Sequence, residues 1–142
     1  MDSGGLVKRF SYPITANDFT VAGKSSSDIK SNLKAIGIDA HIIRRIAIIS
    51  YEAEINIVIH SMGGYLYCDL YEDKIVIISE DIGPGIPNIE LAMTEGFSTA
   101  SEDVRELGFG AGMGLPNMKR YSDEFEIESD KEGTKIRSTI FI

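Results

Sequence analysis

Between Asp39 and Ser61 the chain reads DAHIIRRIAIISYEAEINIVIHS, an isoleucine-rich run with no internal turn signal. Isoleucine alone favours strands, but this run far exceeds the roughly 5–6 residues of an ordinary strand, so a helix is expected. On a helix, Glu52, Asn56 and His60 fall four residues apart and line one stripe, with neighbouring Cβ atoms about 5–6 Å apart. A polar stripe on so apolar an element needs a partner. That partner is either solvent, the ordinary surroundings of a charged residue, or a ligand. Glu54 stands off the stripe and is expected to be exposed or structural.

Shorter signals flank this helix. Residues 6–12, LVKRFSY, read as a strand, and PITANDFTVAGKSSS follows as a loop. SSSDIKSNLKAIGI reads as a serine-capped helix, with Ile29, Leu33 and Ile36 at helical spacing and Gly37 at its end. After Gly63-Gly64, YLYCDLYED and KIVIISEDI form a hairpin turning at Glu72-Asp73. GPGIP is a rigid turn, and NIELAMTEG is a short helix capped by Asn88. Residues 96–113 have little periodicity, which is long for a structureless connection and typical of a functional lid. GLPNMKRYSDE is a further helix, and EFEIESDKE with GTKIRSTIFI makes a closing hairpin. Because strands arrive in hairpins, an α+β fold is expected: a two-layer α/β sandwich of one mixed, mostly antiparallel sheet with its helices on one face. A Rossmann fold does not fit, since no strand precedes the glycine-rich segment.

The 142 residues suit a single domain, 1–142, large enough to support a core without staples. The net charge of −8, with basic residues only in short pairs such as Arg44-Arg45 and Lys119-Arg120, argues against a nucleic-acid surface. No apolar run approaches the roughly 18 residues of a membrane span, and the N-terminus lacks the apolar segment of a signal peptide. The single cysteine, Cys68, excludes a disulfide within the chain, reads as a small core residue, and fits a reducing cytoplasm.

Three further segments carry chemistry. In DIGPG, Asp81 ends an apolar strand, and a carboxylate is an acceptor suited to an amine such as an exocyclic base nitrogen. Gly83 and Gly85 let backbone approach a flat ligand closely, although the same residues also make an ordinary turn. In GFGAGMGLPNM, Gly108, Gly110, Gly112 and Gly114 alternate immediately before a helix. Their amides, with the helix N-terminus, can hold anionic oxygens such as phosphates without side-chain obstruction. A flexible linker is the competing reading. In the Gly133-Thr134 pair, the threonine hydroxyl lies between closing strands, where it can reach a ligand beside Asp81.

The order E-x-x-x-N-x-x-x-H, D-x-G-x-G, a lid, G-x-G-x-G and G-T resembles the GHKL ATPase superfamily, with its Bergerat ATP-binding fold, from about residue 25 to the C-terminus. The short format and GAGMGLPNMKRYSDEFEIES are most similar to bacterial anti-sigma regulatory factors, the serine/threonine kinases of partner-switching systems. The resemblance implies ATP and Mg²⁺, with Asn56 as the metal-coordinating amide and Glu52, one turn earlier, as the general base. It implies Asp81 and Thr134 at the adenine, with Gly83 and Gly85 beneath the base. Gly108, Gly110, Gly112, Met113, Gly114 and Leu115 would face the phosphates, with an ATP lid at about 96–113. The resemblance implies that His60 is structural or near a phosphate, and that Arg105 of the lid could contact one. Residues 97–107 make a longer and more acidic lid than a compact anti-sigma kinase would carry.

The implied activity is transfer of the γ-phosphoryl group of Mg-ATP to a serine or threonine of an anti-anti-sigma (STAS-type) protein. A sigma factor is a second implied partner, and a homodimer is common among proteins resembling this one. Autophosphorylation as a histidine kinase is disfavoured: His41 and His60 are the only histidines, and His60 lies in the long helix. The alternative is a nucleotide-responsive binding module without turnover, against which the retained Glu52 argues.

Overall fold

A computed structural model of the chain describes residues 5–83, 85, 86, 89, 93 and 114–142. The elements run β1 (Lys8–Ile14), α1 (Lys24–Ile36), α2 (Ala40–His60), β2 (Gly64–Leu70), β3 (Lys74–Asp81), α3 (Gly114–Tyr121), β4 (Glu124–Asp130) and β5 (Gly133–Phe141). Of the expected short helix after Asn88, only Ile89 and Met93 are described, with the Met93 N–H donating to Ile89 O at 2.9 Å; the lid, with Arg105, Gly108, Gly110, Gly112 and Met113, lies outside the described residues.

The strands form one five-stranded sheet in the order β1-β2-β3-β5-β4. Every described pairing is antiparallel, so the parallel component expected of a mixed sheet is absent among the described residues. The reason is the route of the chain. After β3 it re-enters the sheet at the far edge as β4, and the β4–β5 hairpin then brings β5 back beside β3 in the opposite sense.

Side chains alternate across the sheet. Ile14, Leu66, Cys68, Leu70, Ile75, Ile77, Ile136 and Ile140 form the core on one face with Ile29 and Leu33 of α1, Ile46, Ile49, Ala53 and Ile57 of α2, and Leu115 and Met118 of α3. The helices therefore share one face, as expected. Cys68 is fully buried there, and burial pushes its thiol up to about 12, the behaviour of a packed residue rather than a nucleophile. On the other face Val76 and Ile78 are also buried. Their cross-strand neighbours are Asp69, Tyr67, Thr139 and Arg137. Arg9 makes a two-pronged contact to Asp69 there (2.7 and 2.8 Å) and lies over the Tyr67 ring.

Two local expectations change. Strand β1 continues through Pro13, which an edge strand tolerates because its missing N–H breaks no interior ladder. Helix α1 starts at Lys24 behind Gly23 in the left-handed region, with no side-chain cap of its own. Its first N–H groups go instead to Glu54 of α2: Gly23 at 3.1 Å, Ser25 at 3.3 Å and Ser26 at 3.1 Å. At the other end Gly37 terminates α1 in a left-handed conformation, as its position suggests.

Candidate functional site

One end of the site is built where β3 runs out. Asp81 is its last residue, on the helix-facing side of the sheet. Its Oδ1 accepts the backbone N–H of Thr134, at the start of β5, at 2.8 Å. The other oxygen has no hydrogen-bond partner among the described residues, so it is available to an incoming donor. Burial raises the Asp81 carboxyl above the ordinary carboxylate range, and the Thr134 N–H partly opposes that shift. Gly133 makes the geometry possible: a Cβ there would run into the Asp81 carbonyl oxygen.

The turn after Asp81 is fastened to the same hairpin. Gly83 N–H donates to Glu132 O at 3.1 Å, and Ile86 N–H donates to Ser129 Oγ at 2.6 Å. Gly85 has φ +76° and packs so tightly on the Asp130 carbonyl that no Cβ would fit. Ser129 Oγ in turn lies 2.8 Å from Thr134 Oγ1. Asp81, Gly83, Gly85 and Thr134, distant in sequence, thus form one cluster.

The second part of the site is the C-terminal half of α2. Glu52, Asn56 and His60 are all half-buried, so their stripe is not an ordinary solvent face. Burial raises the Glu52 carboxyl and lowers the His60 imidazole. Neither Glu52 nor Asn56 has a hydrogen-bond partner among the described residues. Gly114, the first residue of α3, meets this stripe: a Cβ added there would lie 3.1 Å from Glu52 Oε2. Leu115 turns its side chain into the core.

Backbone contacts join the two parts. Met62 N–H donates to Ile82 O at 2.7 Å, and Ile82 N–H donates to Gly63 O at 2.9 Å, which ties the end of α2 to the segment after Asp81. At 1.5 Å per residue, Glu52 lies about 12 Å along the helix from His60. The arrangement is elongated, with an acceptor beside a glycine turn at one end and a raised carboxyl beside a helix start at the other. Among the described residues no three His, Cys, Asp or Glu side chains converge as a metal cage. A cation here would therefore draw its ligands from one amide oxygen, water and the bound molecule, a set Mg²⁺ accepts.

Three side chains that sequence reasoning gave no such role support this frame. Glu54 is 2% exposed and anchors α1. Ser129 joins the turn to Thr134. Arg45 of α2 donates to Tyr121 O and Asp123 Oδ1, both at 3.0 Å, clamping the C-terminal end of α3. The Ser50 hydroxyl shows that polar groups inside α2 need not be functional, because it bonds back to Ile46 O at 2.6 Å. Glu54 has one signal in the sequence: a glutamate on the opposite side of α2 from Glu52, in a helix with almost no polar face.

The chain is similar to the serine/threonine-protein kinase RsbT of Bacillus subtilis, 39% identical over 88 residues, covering 58% of this chain and 60% of that protein. It is also similar to the anti-sigma F factor of Clostridium novyi, 35% identical over 92 residues, covering 60% of this chain and 61% of that one. The match thus spans about three fifths of the length of these curated relatives. Among solved structures, the SiaB-SiaC complex of Pseudomonas aeruginosa shares the fold, with a TM-score of 0.60 at 13% identity over 95% of this chain and 89% of that one. Residues 36–141, from the end of α1 to the end of β5, match the histidine kinase-, DNA gyrase B- and HSP90-like ATPase family. The chain belongs to that family of ATP-binding domains.

Proposed function

We propose that this chain is a Mg²⁺-ATP-dependent serine/threonine protein kinase of a partner-switching system, acting in the cytoplasm on a STAS-type protein. The observation that carries the reading is Glu52: a half-buried carboxyl, raised by burial, with no described hydrogen-bond partner, against the N-terminus of α3. A raised carboxyl is a better base near neutral pH than an ordinary one, and a site that only bound nucleotide would have no need of it. The names of the kinase and anti-sigma relatives point the same way, and they make a sigma factor the second partner to test.

In this reading Asp81 accepts the amino group of adenine, Thr134 stands beside it, and the turn at Gly83 and Gly85 lies under the base. Gly108, Gly110, Gly112, Met113 and Gly114, with the Leu115 backbone, surround the phosphates, and the α3 N-terminus adds favourable charge. Asn56 is the side chain that would hold Mg²⁺: it is a hard oxygen donor, half-buried, one turn from Glu52. When bound, Mg²⁺ supplies charge neutralisation at the phosphates. Glu52 takes the proton of the partner's serine or threonine hydroxyl as its oxygen bonds to the γ-phosphorus. The bond from that phosphorus to the β,γ-bridging oxygen breaks, leaving ADP. Beyond that proton transfer, the protein contributes mainly positioning and charge complementarity.

Incubation with γ-labelled ATP and candidate STAS-type proteins tests this. Label on a partner serine or threonine, lost in Glu52→Ala while ATP binding persists, is the expected result. ATP binding without transfer to any partner would favour the nucleotide-responsive switch instead.

A further inference from the structure

Helix α3 is held to α2 at both ends. At its start, a Cβ on Gly114 would lie 3.1 Å from Glu52 Oε2. At its end, Arg45 Nε donates to Tyr121 O and Arg45 Nη2 donates to Asp123 Oδ1, each at 3.0 Å. Arg45 and Glu52 stand about two helical turns, or about 10 Å, apart along one face of α2. Gly114 and Tyr121 are about the same distance apart along α3. The two helices therefore run antiparallel with these end contacts in register.

The anchor behind Arg45 is the sheet. Asp123 Oδ2 accepts the Phe141 N–H at 2.9 Å, and the Asp123 N–H donates to Thr139 O at 2.8 Å, so the clamp is fastened to β5. It matters because α3 is short. Eight residues fall well below the roughly 12–15 that sustain a helix alone in water, and only Leu115 and Met118 of α3 are buried. Those two side chains choose which face of α3 meets the core, and the end contacts set where the helix sits along its axis. Arg45 also occupies a carbonyl that the last turn leaves free, and its charge complements that end of the helix. A slip of one residue would move the α3 N-terminus by about 1.5 Å, enough to take its N–H groups out of hydrogen-bond range of an oxygen set to meet them.

We propose that Arg45 is a positioning residue for the triphosphate: fastened through Asp123 to β5, it fixes α3 along its axis and so holds the α3 N-terminus against Glu52. Arg45 touches no ligand itself, since it acts from the opposite end of the helix. This rests on the nucleotide reading above, in which the first backbone groups of α3 face the phosphates. The clamp sets two things at once: where the helix N-terminus presents its N–H groups, and how far that N-terminus stands from the Glu52 carboxyl.

Calorimetric titration of the full chain with Mg²⁺-ATP tests the proposal in the parent, Arg45→Ala, Arg45→Lys and Glu54→Ala, at a temperature where each is fully folded by thermal denaturation. Arg45→Ala is expected to bind ATP about tenfold more weakly than the parent. Arg45→Lys keeps a cation at the end of α3 but not the planar fork that reaches two acceptors, so it should recover part of that loss and bind about threefold more weakly than the parent. Glu54→Ala loses its contacts at α1 instead, and should melt at a lower temperature while keeping the parent's ATP affinity. Should Arg45→Ala fail to fold, Arg45→Lys carries the test. Parent affinity in the Arg45 variants, or a loss in Glu54→Ala as large as theirs, would overturn the role of Arg45 while leaving the nucleotide reading standing. A parent that does not bind ATP would overturn both.

Discussion

Asp81 Oδ1 accepts the backbone N–H of Thr134 at 2.8 Å, leaving the other carboxyl oxygen of Asp81 without a described partner. One oxygen is used to hold the strand ends together and one remains for a ligand. Asp81→Asn separates the two roles. The amide oxygen can still accept from Thr134, but an NH₂ group replaces the free acceptor and opposes the amine of adenine. ATP affinity should fall by about tenfold or more, while the melting temperature changes little. Calorimetry and thermal denaturation of the same samples read both effects.

The Glu54 carboxyl is a structural counterpart to that group. Its loss in Glu54→Ala would leave the Gly23, Ser25 and Ser26 N–H groups unpaired at the start of α1. A destabilisation of about 2–3 kcal/mol is expected in urea denaturation. Glu54→Gln, which keeps one acceptor oxygen, should lose less.

Burial raises the pKa of Glu52 in the folded chain above its unfolded value. The folded state therefore holds this proton more tightly, and the contribution to stability is full below the unfolded pKa and is lost as pH rises through the folded one. Once Glu52 ionises, its buried charge costs stability, so Glu52→Gln should stabilise the fold above that pH and flatten the acid side of its stability profile. Activity should run the other way. Transfer by the parent should rise with pH through an apparent pKa above the ordinary glutamate value, and Glu52→Gln should have no such limb. Urea melts and initial rates across the pH range measure the two trends.

Asn56→Ala removes the amide oxygen assigned to Mg²⁺. Its ATP affinity without divalent cation should match that of the parent, and the gain on adding Mg²⁺ should shrink by about tenfold. Titrations with and without chelator provide the comparison. An undiminished Mg²⁺ effect would place the metal elsewhere.

Much of this fold is legible in the sequence because its signals are local. The isoleucine run from Asp39 to Ser61 gives α2 almost to the residue, and alternation with turn residues gives both hairpins. The candidate site is legible as residue types at spacings, but its assembly is not. Glu54 illustrates why. Helical period separates a wet face from a dry one, whereas α2 is buried almost all round, so period alone cannot tell an exposed glutamate from one capping a helix some thirty positions away. The same holds at α1, where three consecutive serines suggest a cap but the cap comes from another helix. Ser129 gives no signal at all, since a serine near a strand end matters only once the hairpin folds it against Ile86 and Thr134.

The most direct test is a crystal structure of the chain with Mg²⁺ and a non-hydrolysable ATP analogue. The free Asp81 oxygen is expected about 3 Å from the exocyclic amine, with the Asn56 amide oxygen on the metal. A base bound away from Asp81 and Thr134, or phosphates lying away from the Glu52–Asn56 stripe, would contradict this placement.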